Sequence, residues 1–208
     1  SSCQLRCRTS WIPERWGQER GLDVAASQAT LAPLFKEVRG TLDWYCLDYW
    51  SQKLSLDIPT IKTGYSEGIR WRPQAETFLR HLNTSHLDVV LITNAHPVTL
   101  AMKAERLPLA QWFNHMVSSH DYGAPKETTR FWDTLMAERP FDPERTLFVD
   151  DSEYVLDAAL AYGVSHLITL RQPDSTLAPR EQTRFPAIHH FEEILQGLPD
   201  IDLSLIHI

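Results

Sequence analysis

The stretch Leu87-Asp-Val-Val-Leu-Ile-Thr-Asn-Ala-His96 decides how the rest of the chain is read. Leu87–Ile92 is short, apolar but for one residue, and rich in β-branched side chains, which suits a strand buried on both faces of a sheet. It stops at the polar group Thr93, Asn94 and His96, and from Pro97 to about Arg106 the spacing becomes helical. A buried strand that ends in polar residues and passes into a helix is the first half of a βαβ unit.

The same alternation continues downstream. His115–Ser118 reads as a second short strand, and Glu127–Ala137 as a helix with Phe131, Trp132, Leu135 and Met136 inward. Thr146–Val149 is a third buried strand. Ser152–Tyr162 is a helix stopped by Gly163, and Val164–Leu170 is a fourth strand. Strands and helices alternating with short connections predict an α/β fold, a doubly wound, Rossmann-like parallel sheet, over about residues 73–200. Residues 171–188 read as a surface loop.

Upstream, residues 12–72 are helical throughout and form a small separate layer inserted early in the chain. Leu31, Leu34 and Phe35 share one face. Leu42, Tyr45, Cys46, Tyr49, Trp50 and Leu54 follow the i, i+3, i+4, i+7 pattern of one amphipathic helix, most simply a packing face. A short helix near Ala75–Leu82 follows Gly64 and Gly68. Residues 1–11 lack periodicity and are expected to be unrelated or disordered. Residues 201–208 are expected to be a tail with no place in the fold.

Composition narrows the function classes. The 208 residues suit one domain with a modest insertion, and 43% hydrophobic with 23% charged residues is a soluble, globular balance. A net charge of −7 argues against gripping a nucleic acid polymer through its phosphates. A small anionic substrate stays open, because a bound cation reverses the local field. Cys3, Cys7 and Cys46 make no disulfide framework, no second Cys/His pair completes a zinc site with Cys3 and Cys7, and free thiols in a reducing cytoplasm are expected. No run of about 18 apolar residues spans a membrane, and no apolar stretch follows the basic N-terminus as a signal peptide requires. A cytoplasmic monomer or small homo-oligomer is expected.

In a parallel α/β sheet, ligands bind at the carboxyl ends of the strands. Three of those ends offer complementary chemistry. Thr93 and Asn94 bring a hydroxyl, an amide and backbone N–H groups at a helix start, suited to phosphate oxygens. Lys126, in Tyr122-Gly-Ala-Pro-Lys126, brings a point charge. Asp150 and Asp151 bring hard oxygen ligands, as Mg2+ requires. Taken singly, Thr-Asn or Asp-Asp before a helix is an ordinary cap. Together, at successive strand ends, they fit phosphoryl transfer, in which charge spreads over the transferred group's oxygens.

Leu91-Ile-Thr-Asn-Ala-His-Pro97, Tyr122-Gly-Ala-Pro-Lys-Glu127 and Thr146-Leu-Phe-Val-Asp-Asp-Ser152 resemble the second, third and fourth motifs of the haloacid dehalogenase superfamily of aspartate-nucleophile phosphatases. With Thr41-Leu-Asp-Trp-Tyr-Cys-Leu-Asp-Tyr-Trp50, they resemble more narrowly a bacterial family of 5′-nucleotidases acting on GMP and IMP. The resemblance implies that Thr93 and Asn94 bind phosphate, that Lys126 stabilises the nucleophile and the transferring charge, and that Asp150 and Asp151 hold Mg2+. It implies that residues 12–72 are a cap closing over the site. A phosphatase for another small metabolite, such as a sugar phosphate or phosphoglycolate, and a non-catalytic nucleotide-binding pseudoenzyme are the alternatives. A metal-independent dehalogenase is disfavoured, because paired magnesium ligands have no task there.

One part of the pattern is missing. The superfamily's first motif is an apolar strand followed by Asp-x-Asp-Gly-Thr, whose first Asp attacks phosphorus and whose second serves as acid and base. No such motif occurs in the 208 residues. Asp200-Ile-Asp202 has the Asp-x-Asp spacing, but no apolar strand precedes it and no glycine follows. The expectations are therefore a sheet without its central first strand, bare apolar edges on the two neighbours, and a chain with little activity of its own.

Overall fold

The strand-and-helix alternation of the sequence builds a six-stranded sheet in the order β2-β1-β6-β3-β4-β5, with every neighbouring pair parallel. The strands are β1 (Asp88–Thr93), β2 (His115–Ser118), β3 (Thr146–Asp150), β4 (His166–Leu170), β5 (Ala187–Ile188) and β6 (Leu205–His207). The computed structural model describes residues 10–174, 177–197 and 202–207. Cys3, Cys7 and Asp200 lie outside the described residues.

Helices α1 (Ile12–Gln18), α2 (Val24–Glu37), α3 (Leu47–Leu54) and α4 (Ile58–Thr63) precede the sheet. Helix α5 (Ala75–Asn83) leads into β1. Helices α6 (Pro97–Arg106), α7 (Thr129–Glu138), α8 (Glu153–Tyr162) and α9 (Glu192–Gly197) alternate with the strands or follow them. Alternate residues of the central strands feed two cores. Val89, Leu147, Val149 and Ile206 pack with α5 and α9, while Val90, Ile92, Phe148 and Leu205 pack with α7 and α8. A parallel sheet covered on both faces needs near-continuous apolar strands, and all five residues of β3 are buried. α8 ends where Gly163 takes a φ of +110°, a conformation L side chains rarely adopt.

The early helices have their own core, built from Ile12, Leu31, Leu47, Trp50, Leu54 and Ile58. Two departures from the sequence reading occur in or near this layer. Residues 42–54 are not one helix: Tyr45 N and Cys46 N donate to Leu42 O and Asp43 O in turns, and α3 starts at Leu47. Cys46, extended at φ −78° and ψ 120°, caps it by accepting from Tyr49 N through Sγ. Trp11, expected outside the fold, stacks flat on Tyr65 with ring centroids 3.9 Å apart. A run of apolar residues at helical spacing cannot itself reveal a turn inside it.

The larger departure is β6. Leu205-Ile-His207, read as part of a tail, sits in the middle of the sheet, opposite Asp88–Val90 of β1 and Thr146–Phe148 of β3. Its residues are almost wholly buried. The expected bare edges of β1 and β3 are therefore covered along this part of their length. Three residues are too few for periodicity to identify a strand; two unpaired edges flanking a strand-sized gap supply what the local sequence lacks. Asp202 precedes β6, so it lies at the amino ends of the strands, where it pairs with Arg145 at 2.8 Å. That position is opposite to the ligand-binding end and does not suit a nucleophile. Among the described residues, no helix is long and apolar enough to cross a membrane.

Candidate active site

β1 runs out toward β2 on one side of β6, and β3 toward β4 and β5 on the other. The chain thus reverses its direction of winding here, which opens a crevice at the carboxyl ends of β1 and β3. Thr93, Asn94, Lys126, Asp150 and Asp151, separated by up to 58 positions in sequence, all line one cavity of about 660 Å3 at that crevice.

Lys126 and Asp150 form its buried centre. Lys126 Nζ lies 2.5 Å from Asp150 Oδ2 and also donates to Ile92 O at 3.2 Å. Both side chains are only 7% exposed. Burial pushes the Asp150 carboxyl up from its ordinary pKa, and Lys126 opposes that shift. Asp150 Oδ1 accepts from Ser152 N at 2.8 Å, and Thr169 Oγ1 donates to its main-chain oxygen. The strand end is thereby held from three sides. Asp151 follows at the cavity wall, its main-chain oxygen accepting from Arg180 Nη2 at 2.9 Å.

Thr93 Oγ1 accepts from Ala95 N at 3.1 Å, which leaves its own O–H to donate to a ligand. The Asn94 side chain is hydrogen-bonded within the protein. Its Oδ1 accepts from Lys126 N at 2.9 Å, and its Nδ2 donates to Glu127 Oε2 at 2.8 Å. These two bonds tie Asn94 to the loop that carries Lys126 and leave one Nδ2 hydrogen unused by them. Trp132 Nε1, donating to Lys126 O, secures the loop from beneath.

Sequence reading missed Glu127 and the use of Tyr45. Tyr45 OH donates to Glu127 Oε1 at 2.6 Å and contacts Asn94, so a residue of the helical layer completes the network beneath Lys126. Burial, then the Glu127 charge, keeps this phenol protonated by raising its pKa far above the usual tyrosine range. Of the aromatic stripe on residues 44–50, only Tyr45 lines the cavity, while Trp50 is in the helical core. Trp11, Tyr65 and Trp71 also line it, with Phe78, Phe113 and Phe191. No local signal marks these, since they are scattered along the chain. The layer is also tied to the sheet domain by buried Lys62, whose Nζ donates to Thr99 Oγ1 on α6 at 2.9 Å.

Behind Ala95 lies a second group of polar side chains. His96 and His120, at the ends of β1 and β2, meet edge-on with ring centroids 4.9 Å apart. Desolvation, and then the neighbouring His96, hold the His120 pKa below its ordinary value.

Asp150 and Asp151 meet one requirement of a hard divalent cation, adjacent carboxylates at a strand end in the cavity that Thr93 also lines. Both Asp150 oxygens keep a lone pair beyond the hydrogen bonds described. The donor set fits Mg2+. The intervening strand β6, by contrast, brings Leu, Ile and His, and His207 lies opposite Val90 and Phe148, short of the level of Thr93 and Asp150. Among the described residues, no carboxylate stands between them on that strand.

The chain belongs to the haloacid dehalogenase-like hydrolases, whose family model matches residues 49–169. It is 35% identical over 187 residues to the GMP/IMP nucleotidase YrfG of Escherichia coli (strain K12), covering 90% of this chain and 84% of that one. The protein of the same name from Shigella flexneri matches equally. Among solved structures, the HAD phosphatase from Thermococcus onnurineus superposes with a TM-score of 0.74 at 14% identity, covering 96% of this chain and 91% of that one. The HAD-hydrolase YfnB from Bacillus subtilis, solved bound to magnesium, gives 0.64 at 18% identity, with 94% and 92% covered. These structural likenesses concern the fold.

Proposed function

We propose that this chain carries the phosphate- and metal-binding part of a magnesium-dependent phosphomonoester hydrolase acting on purine 5′-nucleotides of the GMP and IMP type. The observation that carries the reading is the convergence of Thr93, Lys126, Asp150 and Asp151 on one end of one cavity. Sequence separation makes that convergence hard to explain as independent helix caps. Similarity to the GMP/IMP nucleotidases supports the substrate class. A cavity of about 660 Å3 is of a size for a small organic ligand, and Tyr45, Trp11, Tyr65 and Trp71 give it aromatic walls on which a purine can stack.

Each residue then has a physical task. The Thr93 hydroxyl and the N–H groups after β1 hold one phosphate oxygen. Lys126 neutralises charge on the transferring group and on an attacking carboxylate, and burial makes that charge act more strongly than it would in water. Asp150 and Asp151 hold Mg2+, which when bound supplies Lewis-acid stabilisation of the phosphoryl oxygens. The helical layer over residues 12–72 acts as the cap: it excludes water and selects the leaving group. The attacking aspartate belongs to an Asp-x-Asp-Gly-Thr strand, which these 208 residues do not contain.

The test is phosphate release from GMP, IMP, a sugar phosphate and an aryl phosphate, with and without Mg2+. The 208-residue chain is expected to give almost none. A version with an apolar strand and Asp-x-Asp-Gly-Thr added ahead of residue 12, taking the mid-sheet place of Leu205–His207, is expected to release phosphate from GMP and IMP in a magnesium-dependent way. A folded version of that kind that is inert on all four compounds sinks the phosphatase reading. Turnover confined to the sugar phosphate overturns the substrate class alone.

A further inference from the structure

Cys46, His96 and His120 come from three separate elements. Cys46 caps α3 in the helical layer, His96 caps α6 just after β1, and His120 follows β2. Their ligand atoms nevertheless lie within 4.8 Å of one another, and each side chain is half-buried. Asp48 Oδ2 stands 3.5 Å from His96 Nε2, on the open side of the group. His120 Nε2 is sequestered from solvent with no hydrogen-bond partner among the described residues. A buried ring nitrogen without a partner calls for an explanation, and a ligand is a common one.

From this geometry we infer a second metal site, for a borderline-soft divalent ion of the zinc class, made by Cys46, His96 and His120 with Asp48 or a water as the fourth ligand. The donor chemistry selects the metal. A thiolate with two imidazoles suits zinc and does not suit magnesium, which takes oxygen ligands. A tetrahedral zinc ion holds its sulfur and nitrogen ligands roughly 3.3–3.8 Å apart, so the three donors must close by about an ångström. Small side-chain rotations cover that distance, and His96 gives up the 3.4 Å contact in which Nδ1 accepts from Val98 N, because a neutral imidazole has a single acceptor nitrogen. The hydrogen bond from Tyr49 N to Cys46 Sγ supplies the kind of outer-sphere support that orients a metal ligand.

The position gives the ion a task. Cys46 adjoins Tyr45, which reaches the Lys126 loop through Glu127. His96 lies three residues beyond Thr93. A metal here pins the helical layer to the ends of β1 and β2 beside the cavity, without touching the Asp150–Asp151 pair. The inference stands on its own residues and does not depend on the phosphatase reading.

Cobalt(II) in place of zinc tests it directly. Untagged, chelator-stripped protein with Cys3→Ser and Cys7→Ser is titrated with Co2+ in excess Mg2+. One equivalent is expected to bind with a thiolate-to-cobalt charge-transfer band and the intense visible bands of a tetrahedral site. Zinc is expected to bleach them. Cys46→Ala should abolish the charge-transfer band, His120→Gln should weaken binding at least tenfold, and Asp150→Asn should leave the spectrum unchanged, each variant being checked for folding by circular dichroism. If the Cys46 variant does not fold, the unaltered thiol serves instead, since one equivalent of zinc is expected to slow its reaction with a disulfide reagent at least tenfold. A spectrum that is octahedral, persists without Cys46 or vanishes with Asp150→Asn overturns the site. So does a thiol that zinc does not protect.

Discussion

Lys126 and Asp150 are a charge pair that neither partner can leave cheaply. Removing one member of a buried ion pair strands the other's charge, at a cost of about 3–5 kcal/mol. Lys126→Met is therefore expected to lower unfolding stability by about that amount in a urea titration. The double variant Lys126→Met/Asp150→Leu is expected to recover much of the loss, because no isolated charge remains. Equal loss in single and double variants would mean that lysine packing, and not charge pairing, matters at this spot. Tyr45→Phe makes a smaller claim. It deletes the donor to Glu127 and leaves a half-buried acceptor unmatched, for a loss of about 1–2 kcal/mol in the same titration. In the strand-completed enzyme it is also expected to lower kcat, since the Lys126 loop loses a support. The positions of Thr93, Lys126, Asp150 and Asp151 were legible from the sequence because each follows a recognisable strand. The work of Asn94 was not, because its partners Lys126 and Glu127 lie more than thirty positions away.

Elements are decided by a mixture of local pattern and close approach. β1, β2, α6 and α8 fall within a residue of where periodicity and terminators put them, since buried strands and capped helices have strong local signatures. Gly17 in α1 illustrates the contribution of packing. A Cβ there meets Ser27 Oγ at 2.2 Å and Leu22 O at 2.8 Å, so α1 and α2 touch through the absence of a side chain. Gly17→Ala is expected to cost about 1–3 kcal/mol by forcing that contact apart. Circular dichroism melting measures the loss, and Ser27→Ala in the same background should relieve only part of it, because the Leu22 carbonyl stays in the way. An unchanged melting temperature for Gly17→Ala would show that the two helices separate freely.

For the molecule as a whole, the mid-sheet position of β6 makes stability depend on acid. Burial, reinforced by the positive charges of Lys126 and Arg139, lowers the His207 pKa to about 3. An imidazole that must be neutral in the folded state adds stability that is complete above its unfolded pKa, about 6.5, and is lost as pH falls from there toward 3. The slope from this residue approaches about 1.4 kcal/mol per pH unit in that window. His207→Leu is expected to flatten the wild-type slope between about pH 6.5 and 5, above the range in which carboxylates dominate. It should also raise stability at neutral pH, since His207 Nδ1 is buried without a partner among the described residues. Parallel stability–pH curves for the two proteins would place His207 in solvent and undo the mid-sheet assignment of β6.

The sequence by itself determined the class of fold, because near-continuous apolar strands alternating with amphipathic helices have few packings other than a parallel sheet covered on both faces. It also located the polar, cationic and acidic residues beyond three strands that line one cavity, since such a sheet opens its crevice at the carboxyl ends of its strands. Only the tertiary structure decided what lies between those ends and over them. Leu205–His207 is a strand because β1 and β3 leave a gap that it fills. Tyr45 belongs to the site, and Cys46 to a cluster with His96 and His120, because α3 begins one turn later than the apolar stripe and the turn before it bends both side chains toward the sheet. Such contacts join residues tens of positions apart, and no local pattern encodes them.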